Sequence, residues 1–251
     1  MQAAYRGLKV RRALARKVVR VDHPTLDVRI HVITEATARL RVDSVGKEPW
    51  TVAWLERSVR PGDVVWDVGA NVGVYALLAA RLLEGSGTVV AVEPGYANFA
   101  ALCENVVLNG LEARVTPLPL VLGDAPRTAT LDYSDLRAGS ALHGLDGSSG
   151  ATAYRQPVLV HTLDQVVEAF GVPAPTLLKL DVDGGEASVL AGARAVLAGA
   201  ELRSVIVEIE SELTDAVLEE LGRSGHRLVE EHHERDGVAL PGVWYGVFER
   251  S

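Results

Sequence analysis

Short apolar runs that end near an acidic residue and a turn recur along the chain. The runs Val64–Val68 and Thr88–Val92 are nearly continuous in apolar character, which is typical of strands buried on both faces of a parallel sheet. Between them, residues 74–82 carry apolar side chains at helical spacing. This alternation of strand and helix predicts a doubly covered, mostly parallel sheet.

The same alternation continues toward the end of the chain. Further strands are predicted at 114–122, 157–161, 177–181, 204–209, 225–229 and 243–248, and helices at 97–108, 162–170, 186–197 and 212–222. The last two strands are joined by a turn at residues 235–237, which predicts an antiparallel hairpin at the edge of the sheet. The fold class predicted from the pattern is therefore α/β.

The first 50 residues are expected to form an extension to the main domain, which we assign to residues 51–251. A helix is predicted over residues 3–20, followed by a β-hairpin whose strands are residues 28–32 and 38–42. The basic helix either docks on an anionic surface or covers the domain edge. Its apolar face is thin, which favours the second interpretation. Contacts between copies of the chain are also assigned to this extension.

Length, charge and cysteine content narrow the class of protein. The 251 residues carry a formal net charge of −8, although residues 1–20 hold seven basic residues and no acidic one. An acidic body argues against broad nucleic-acid binding. One cysteine excludes an internal disulfide and suits a reducing cytoplasm. No apolar run is long enough to span a membrane or to act as a secretory signal, so a cytoplasmic protein is expected.

The turn after the first long apolar run carries the most specific chemistry. Its spacing is D-x-G-x-x-x-G, from Asp67 through Gly69 to Gly73, and not the G-x-G-x-x-G of dinucleotide-binding proteins. An acid there would repel a pyrophosphate but suit a cation, such as the amino group or sulfonium of S-adenosylmethionine. Glu93, at the tip of the next strand, would accept the ribose hydroxyls. The alternative is a glycine turn that only packs a helix on a strand.

Acidic residues fall repeatedly where predicted strands end. Asp124 and Asp181 join the two acids named above, and open α/β sheets bind ligands at that edge. Asp183 and Glu186 follow closely. These three later acids, Asp181, Asp183 and Glu186, admit three interpretations: a general base with substrate-orienting carboxylates, a divalent-metal site held by Asp181 and Asp183, or side chains that satisfy N–H groups at the start of the next helix.

A glycine- and serine-rich stretch at residues 134–153 is predicted to be a loop or lid that closes over the site. His143 lies within it and is a further candidate for active-site chemistry. The chain contains neither a G-x-S-x-G motif nor a Walker A motif, which argues against hydrolase and P-loop functions.

Taken together, several motifs resemble the FkbM family of class I S-adenosylmethionine-dependent methyltransferases. They are D-V-G-A-N-V-G-V-Y at 67–75, V-E-P at 92–94, residues 105–109, L-G-D at 122–124, T-L-D at 162–164 and K-L-D-V-D-G-G-E at 179–186. The resemblance covers about residues 48–210. The family commonly has Glu-Gly-Ala-Glu where this chain has Asp183-Gly-Gly-Glu186, which moves one carboxylate back by a methylene.

The resemblance implies a Rossmann-like, seven-stranded sheet and methyl transfer, usually to a hydroxyl of a sugar or secondary metabolite. By the family pattern, the turn at 67–73 cradles the methionine end of the cofactor, Glu93 binds the ribose and Asp124 lies near the adenine. The full set of predicted cofactor-binding residues is Asp67, Gly69, Ala70, Asn71, Gly73, Tyr75, Glu93, Pro94, Asn98, Gly123, Asp124 and Asp181. The predicted catalytic residues are Asp181, Asp183, Glu186 and His143.

We therefore expect an O-methyltransferase that uses S-adenosylmethionine, yields S-adenosylhomocysteine and acts on a small molecule without a required metal. In-line positioning of the acceptor oxygen would supply most of the rate acceleration, with Asp181 or Asp183 taking the hydroxyl proton. The alternatives are N- or carboxyl-methylation of a small molecule or peptide, and a non-catalytic module that binds the cofactor. A nicotinamide oxidoreductase is disfavoured by Asp67 and by the missing third glycine.

Overall fold

The structure, a computed structural model, describes residues 17–32, 34–35, 37, 41–133, 137–139, 144–145, 154–235 and 238–251. Its strands are β1 (Lys17–Arg20), β2 (Arg29–Val32), β3 (Val64–Val68), β4 (Thr88–Val92), β5 (Val115–Leu118), β6 (Val121–Leu122), β7 (Arg127–Tyr133), β8 (Gly144–Leu145), β9 (Tyr154–His161), β10 (Leu177–Leu180), β11 (Ser204–Glu210), β12 (His226–His232), β13 (Glu234–Arg235), β14 (Val238–Ala239) and β15 (Val243–Arg250). Its helices are α1 (Ser44–Lys47), α2 (Pro49–Ser58), α3 (Val74–Leu82), α4 (Tyr96–Leu108), α5 (Leu163–Phe170), α6 (Glu186–Ala191), α7 (Arg194–Ala198) and α8 (Thr214–Arg223), with a 3-10 turn at Ser211–Leu213.

The main sheet has seven strands in the order β12-β15-β11-β10-β3-β4-β5. The five strands from β11 to β5 pair in parallel. β15 pairs antiparallel with both β11 and β12. The sequence prediction of a Rossmann-like, mostly parallel sheet with an antiparallel C-terminal hairpin is confirmed.

Side chains that alternate along the central strands enter two separate hydrophobic cores. Val65 and Leu177 pack into the core on one face, whereas Trp66 and Leu178 pack into the core on the other. Helices cover both faces, so these strands are apolar at almost every position. Burying each such side chain stabilises the fold by about 1.5–3 kcal/mol.

The N-terminal region differs from its prediction. Residues 1–16 lie outside the described residues, but Lys17–Arg20 forms a strand, not the end of a helix. That strand pairs antiparallel with β2. The predicted partner was residues 38–42, of which 41–42 are described, and these lie in a turn that leads to α1. Alternating side chains identify a strand without identifying its partner, which explains the error.

The structure contains a second sheet, of four strands, that the sequence pattern does not predict. The predicted strand at 114–122 is split after Leu118: β5 completes the main sheet, whereas β6 begins a four-stranded sheet in the order β6-β9-β7-β8. Of the predicted lid at 134–153, the structure describes residues 137–139 and 144–145, and the latter form β8 beside β7. Within the described part of the chain, no helix combines the length and apolar character needed to cross a membrane.

Candidate active site

The turn after β3 is shaped by residues with positive φ angles. Gly69, Asn71 and Gly73 have φ of 83°, 52° and 92°. A Cβ atom on Gly69 would overlap the carbonyl oxygen of Asp181, and one on Gly73 would overlap the side chain of Leu102. Both glycines are therefore needed, because the turn packs closely on the neighbouring strand end and on α4.

The turn is hydrogen-bonded to the carboxyl end of β4. The backbone N–H groups of Gly69 and Ala70 donate to the carbonyl oxygen of Val92 at 3.0 and 2.9 Å. The next N–H, that of Asn71, donates to Glu93 Oε2 at 2.8 Å. These bonds hold the turn and the acidic strand tip in one fixed arrangement.

Glu93 is buried and faces a cavity at this edge of the sheet. Its Oε1 accepts the N–H of Gly95 at 2.8 Å. Burial raises the pKa of Glu93 to about 7, although the N–H groups of Gly95 and Asn71 oppose that shift. The Asn98 side chain is a third donor to this group. A carboxylate has about four acceptor sites, so the three bonds leave capacity for one hydroxyl donor of a ligand.

Two adjoining cavities lie over the carboxyl ends of the central strands. The first has a volume of about 360 Å³ and is lined mainly by polar and charged residues, among them Arg41, Lys47, Glu48, Asn71, Glu93, Asn98, Asp181, Asp183 and Glu208. The second, of about 270 Å³, has an apolar wall formed by Val68, Val92, Leu120, Leu122, Leu131 and Leu145. Gly69, Pro94 and Asp183 line both cavities, so the cavities meet above the turn.

A buried lysine joins two of the predicted acids. Lys179 Nζ lies 3.4 Å from Asp67 Oδ1 and 2.9 Å from Asp181 Oδ2. Burial acts to lower the pKa of Lys179, but the Asp181 and Asp67 carboxylates together raise it well above its usual range. Burial raises the pKa of Asp67, and Lys179 opposes that shift. The cation beside Asp67 in this structure is thus a lysine of the chain itself.

The acids that follow β10 have different surroundings. Glu186 is buried, and its Oε1 accepts the N–H groups of Val182 and Gly184 at 3.0 and 3.3 Å. It therefore closes the turn before α6, in agreement with the interpretation that a side chain satisfies backbone N–H groups there. Asp183 is half-buried with φ of 56° and lines both cavities. Only Asp183 and Asp181 of this group line the polar cavity.

Two other predicted residues lie near the turn. Tyr75 is buried, donates its hydroxyl to the Ser44 carbonyl at 3.1 Å and presents its ring to Lys179 Nζ, 5.1 Å from the ring centre. Asn98 lines the polar cavity and accepts the Gly139 N–H at 2.8 Å through Oδ1. Asn98 therefore lines the polar cavity, whereas Tyr75 is buried and does not line it.

The remaining predicted residues lie toward the second sheet. Gly123 is buried and donates its N–H to the His161 carbonyl at 2.9 Å. Asp124 is exposed and pairs with Arg127 at 2.8 Å. Arg127, not Asp124, lines the apolar cavity, because the split after β5 places Asp124 beyond the second sheet's first strand. His143 lies outside the described residues.

Four charged residues of the polar cavity were missed by the sequence reasoning. Glu208 lies in β11 next to the position of Asp181, since Leu180 pairs with Val207 in the sheet register. The acid at a strand end was a signal that could have identified it. Arg41, Lys47 and Glu48 come from the segment around α1, which no local pattern connects to the sheet edge.

The described residues do not support the alternative of a divalent-metal site at Asp181 and Asp183. Among the described residues, no three side chains of the types His, Cys, Asp or Glu converge on a point where an ion could be held. Asp181 is instead engaged by Lys179.

Comparison with known proteins places the chain in a family. Residues 67–228 match the model of the methyltransferase FkbM domain. The 31-O-demethyl-FK506 methyltransferase FkbM of Streptomyces tacrolimicus is 34% identical over 53% of this chain and 60% of that protein. The hexuronic acid methyltransferase AglP of Haloferax volcanii is 28% identical over 68% of this chain and 66% of that protein. The match thus spans less than two thirds of each relative.

Solved structures support the fold. The methyltransferase FkbM from Methylobacillus flagellatus superposes with a TM-score of 0.50 at 15% identity, covering 82% of this chain and 62% of that one. An rRNA-methylase-like protein from Clostridium thermocellum gives 0.51 at 13% identity, covering 81% and 95%. At such identities the likeness concerns the fold alone. With the family model matching more than half of its length, the chain belongs to the FkbM methyltransferase family.

Proposed function

We propose that this chain transfers a methyl group from S-adenosylmethionine to a hydroxyl oxygen of a small-molecule acceptor. The observation that carries the proposal is the position of the Glu93 carboxylate, which lines the polar cavity beside an apolar cavity at the carboxyl edge of the sheet. Family membership supports methyl transfer. The names of the two relatives, a demethyl-FK506 and a hexuronic acid methyltransferase, favour small hydroxylated acceptors.

The residues present fit this cofactor. Glu93 retains an acceptor site for a ribose hydroxyl, and the backbone of Gly69 lines both cavities, where a ligand can contact it. The apolar wall formed by Val92, Leu122 and Leu131 suits a flat purine ring. The methionine end would lie toward Asn71 and the cations of the polar cavity, where a carboxylate finds favourable charge.

The protein's part in the chemistry is mainly to position the reactants. When bound, the cofactor supplies a methyl group on a positively charged sulfur, which an acceptor oxygen displaces in line. Holding the oxygen in that line removes much of the entropic barrier. Asp183 is proposed to orient the acceptor hydroxyl, which is supported by its position in the lining of both cavities. Asp181 supports the site through its ion pair with Lys179.

A transfer assay tests the proposal. Purified protein is incubated with S-adenosylmethionine labelled in its methyl group and with D-glucuronic acid or 31-O-demethyl-FK506 as probe acceptors. Labelled product whose new methyl ether is located by mass spectrometry is the expected result. A methyl group found on nitrogen or on a carboxyl group would contradict methyl transfer to a hydroxyl and would support the corresponding alternative. Binding of cofactor without transfer to any hydroxylated, amino or carboxylic probe would favour a non-catalytic module.

The partner and location predictions belong to the same proposal. A small molecule is the proposed substrate, with no nucleic acid, and the N-terminal extension is proposed to carry any contacts between copies. A cytoplasmic location is proposed from the single cysteine of the chain.

A further inference from the structure

A carboxylate outside the predicted set, that of Glu208, lines the polar cavity. It lies near the carboxyl end of β11 and follows Val207, whose partner Leu180 directly precedes Asp181. Asp181 forms an ion pair with Lys179, with 2.9 Å between Oδ2 and Nζ. Glu208 has no such cation among its described partners: its Oε2 accepts the hydroxyl of Tyr245.

Tyr245 is held rigidly behind Glu208. The two residues are cross-strand partners in the antiparallel pairing of β11 with β15. The ring of Tyr245 is buried and packs on Trp50 with 5.0 Å between ring centres, and Trp50 in turn stacks on His232 at 5.4 Å. A hydroxyl fixed in this way occupies one oxygen of Glu208, and Glu208 lines the cavity.

The charged surroundings of Glu208 favour its holding a proton. Burial raises the pKa of Glu208 above the usual range, and the nearby carboxylates of Asp181, Glu48 and Asp183 add to the shift, while the Tyr245 hydroxyl opposes it. Arg41 and Lys47 line the same cavity. A general base must be unprotonated before it acts, and in its charged form a carboxyl group with a raised pKa binds a proton more strongly than an ordinary surface glutamate.

We infer that Glu208, held by Tyr245, is the catalytic residue that accepts the proton of the acceptor hydroxyl. The inference rests on the proposed O-methylation. As the O–H bond breaks, the proton passes to the Glu208 carboxylate, and the oxygen keeps the electron pair that forms its bond to the transferred methyl. The bond between that methyl and sulfur breaks, and its electron pair leaves on the sulfur. Tyr245 touches no reactant and acts as a positioning residue.

The experiment compares Glu208→Gln and Tyr245→Phe with the wild type, and uses Glu249→Gln as the matched control. Glu249 is exposed at the opposite end of the same strand pair, where it faces Ser204. Three measurements are made: calorimetry with S-adenosylhomocysteine, carbon-13 NMR titration of protein labelled at the glutamate carboxyl carbon, and the pH profile of kcat with the probe acceptors named above.

Glu208→Gln is expected to bind S-adenosylhomocysteine like the wild type and to lose about 10²- to 10⁴-fold in kcat, the usual contribution of a general acid–base group. It should also lack one glutamate resonance that titrates above the ordinary range near 4.3. Tyr245→Phe should move that titration, and the rising limb of kcat, to higher pH, because a donor to the charged form is lost. Glu249→Gln should change none of these.

The outcomes separate this inference from the proposed function. Wild-type protein that fails to bind S-adenosylhomocysteine would contradict the proposed function. Wild-type protein that transfers methyl groups while Glu208→Gln keeps its kcat would overturn the role of Glu208 alone. If no probe is methylated, the NMR titration decides. Glu93 and Glu186 also have raised pKa values, so Glu208 is identified as the resonance that is absent from Glu208→Gln. An equal number of glutamate resonances that titrate above the ordinary range in Glu208→Gln and the wild type, or an unchanged midpoint in Tyr245→Phe, would overturn the inference.

Discussion

The Glu93 carboxylate accepts the backbone N–H of Asn71 at 2.8 Å, which joins the tip of β4 to the turn after β3. Asn71 has φ of 52°, a conformation that points its N–H toward the strand tip. The acid proposed to bind the ribose therefore also sets the shape of the turn proposed to bind the methionine end. A ligand at Glu93 would act on both halves of the site at once.

Binding of S-adenosylhomocysteine should release protons near neutral pH. Burial raises the pKa of Glu93 to about 7, so part of the population carries a proton there. A ribose hydroxyl that donates to Glu93 favours its charged form and lowers that pKa. Calorimetry in buffers of different ionisation enthalpy measures the protons released. Glu93→Gln should release none at this group, and an equal release in the variant would contradict the role of Glu93.

Replacement of Gly69 by alanine should disrupt the turn far more than the φ angle alone requires. Its Cβ would overlap the Asp181 carbonyl oxygen. Gly62 has a similar positive φ, of 92°, but no atom within 4 Å of the added Cβ, so Gly62→Ala is the matched control. We expect Gly62→Ala to cost about 1–2 kcal/mol of unfolding free energy and Gly69→Ala clearly more. Urea denaturation measures both, and equal losses would show that the turn can move aside.

Lys179 should be critical for stability. Its ammonium is the counter-ion of the buried Asp67, and Lys179→Met would leave that carboxylate without a partner. Removal of one member of a buried ion pair lowers the free energy of unfolding by about 3–5 kcal/mol, whereas replacement of both members by uncharged residues is often tolerated. The double variant Lys179→Met/Asp67→Asn should therefore recover stability relative to Lys179→Met in urea denaturation. A double variant less stable than the single one would argue against this pairing.

Glu186 should make the protein less stable as the pH rises through neutrality. Burial raises its pKa from 4.5 to about 7, so its charged form is disfavoured in the folded state. The stability present below pH 4.5 is lost as the pH rises through about 7. Glutamine does not titrate, so the stability of Glu186→Gln relative to the wild type should increase over that interval.

Thermal unfolding measured across this pH interval checks the prediction for Glu186. Glu112→Gln, at an exposed position before β5, is the control and should follow the wild-type pH dependence. A constant difference between Glu186→Gln and the wild type would show that the carboxyl group of Glu186 does not titrate in this range.

The sequence predicted the central strands and the acids at their ends because both signals are local. Asp67, Glu93 and Asp181 each follow or interrupt an apolar run, and parallel strands bring their carboxyl ends to one edge. β7 was missed although its buried residues Ala129, Leu131 and Tyr133 alternate. That period of two was a usable signal.

The wall of the polar cavity was less predictable, because its residues meet only through distant contacts. Glu48 reaches the sheet edge from the segment before α2, and Tyr245 reaches Glu208 through strand pairing near the end of the chain. Lys179 lies within an apolar run, and the pattern of that run predicts only a strand. Its partnership with Asp67 depends on the register between β10 and β3, which no local pattern specifies.

Calorimetric titration of S-adenosylhomocysteine into the wild type, Glu93→Ala and the control Glu168→Ala measures whether Glu93 binds the cofactor. Glu168 is an exposed acid of α5, on an element that contributes nothing to either cavity wall described above. We expect one site in the wild type, unchanged affinity in Glu168→Ala, and binding weaker by about 1.5–3 kcal/mol in folded Glu93→Ala. Equal affinity in a folded Glu93→Ala variant, or no binding by the wild type, would contradict the proposed role of Glu93.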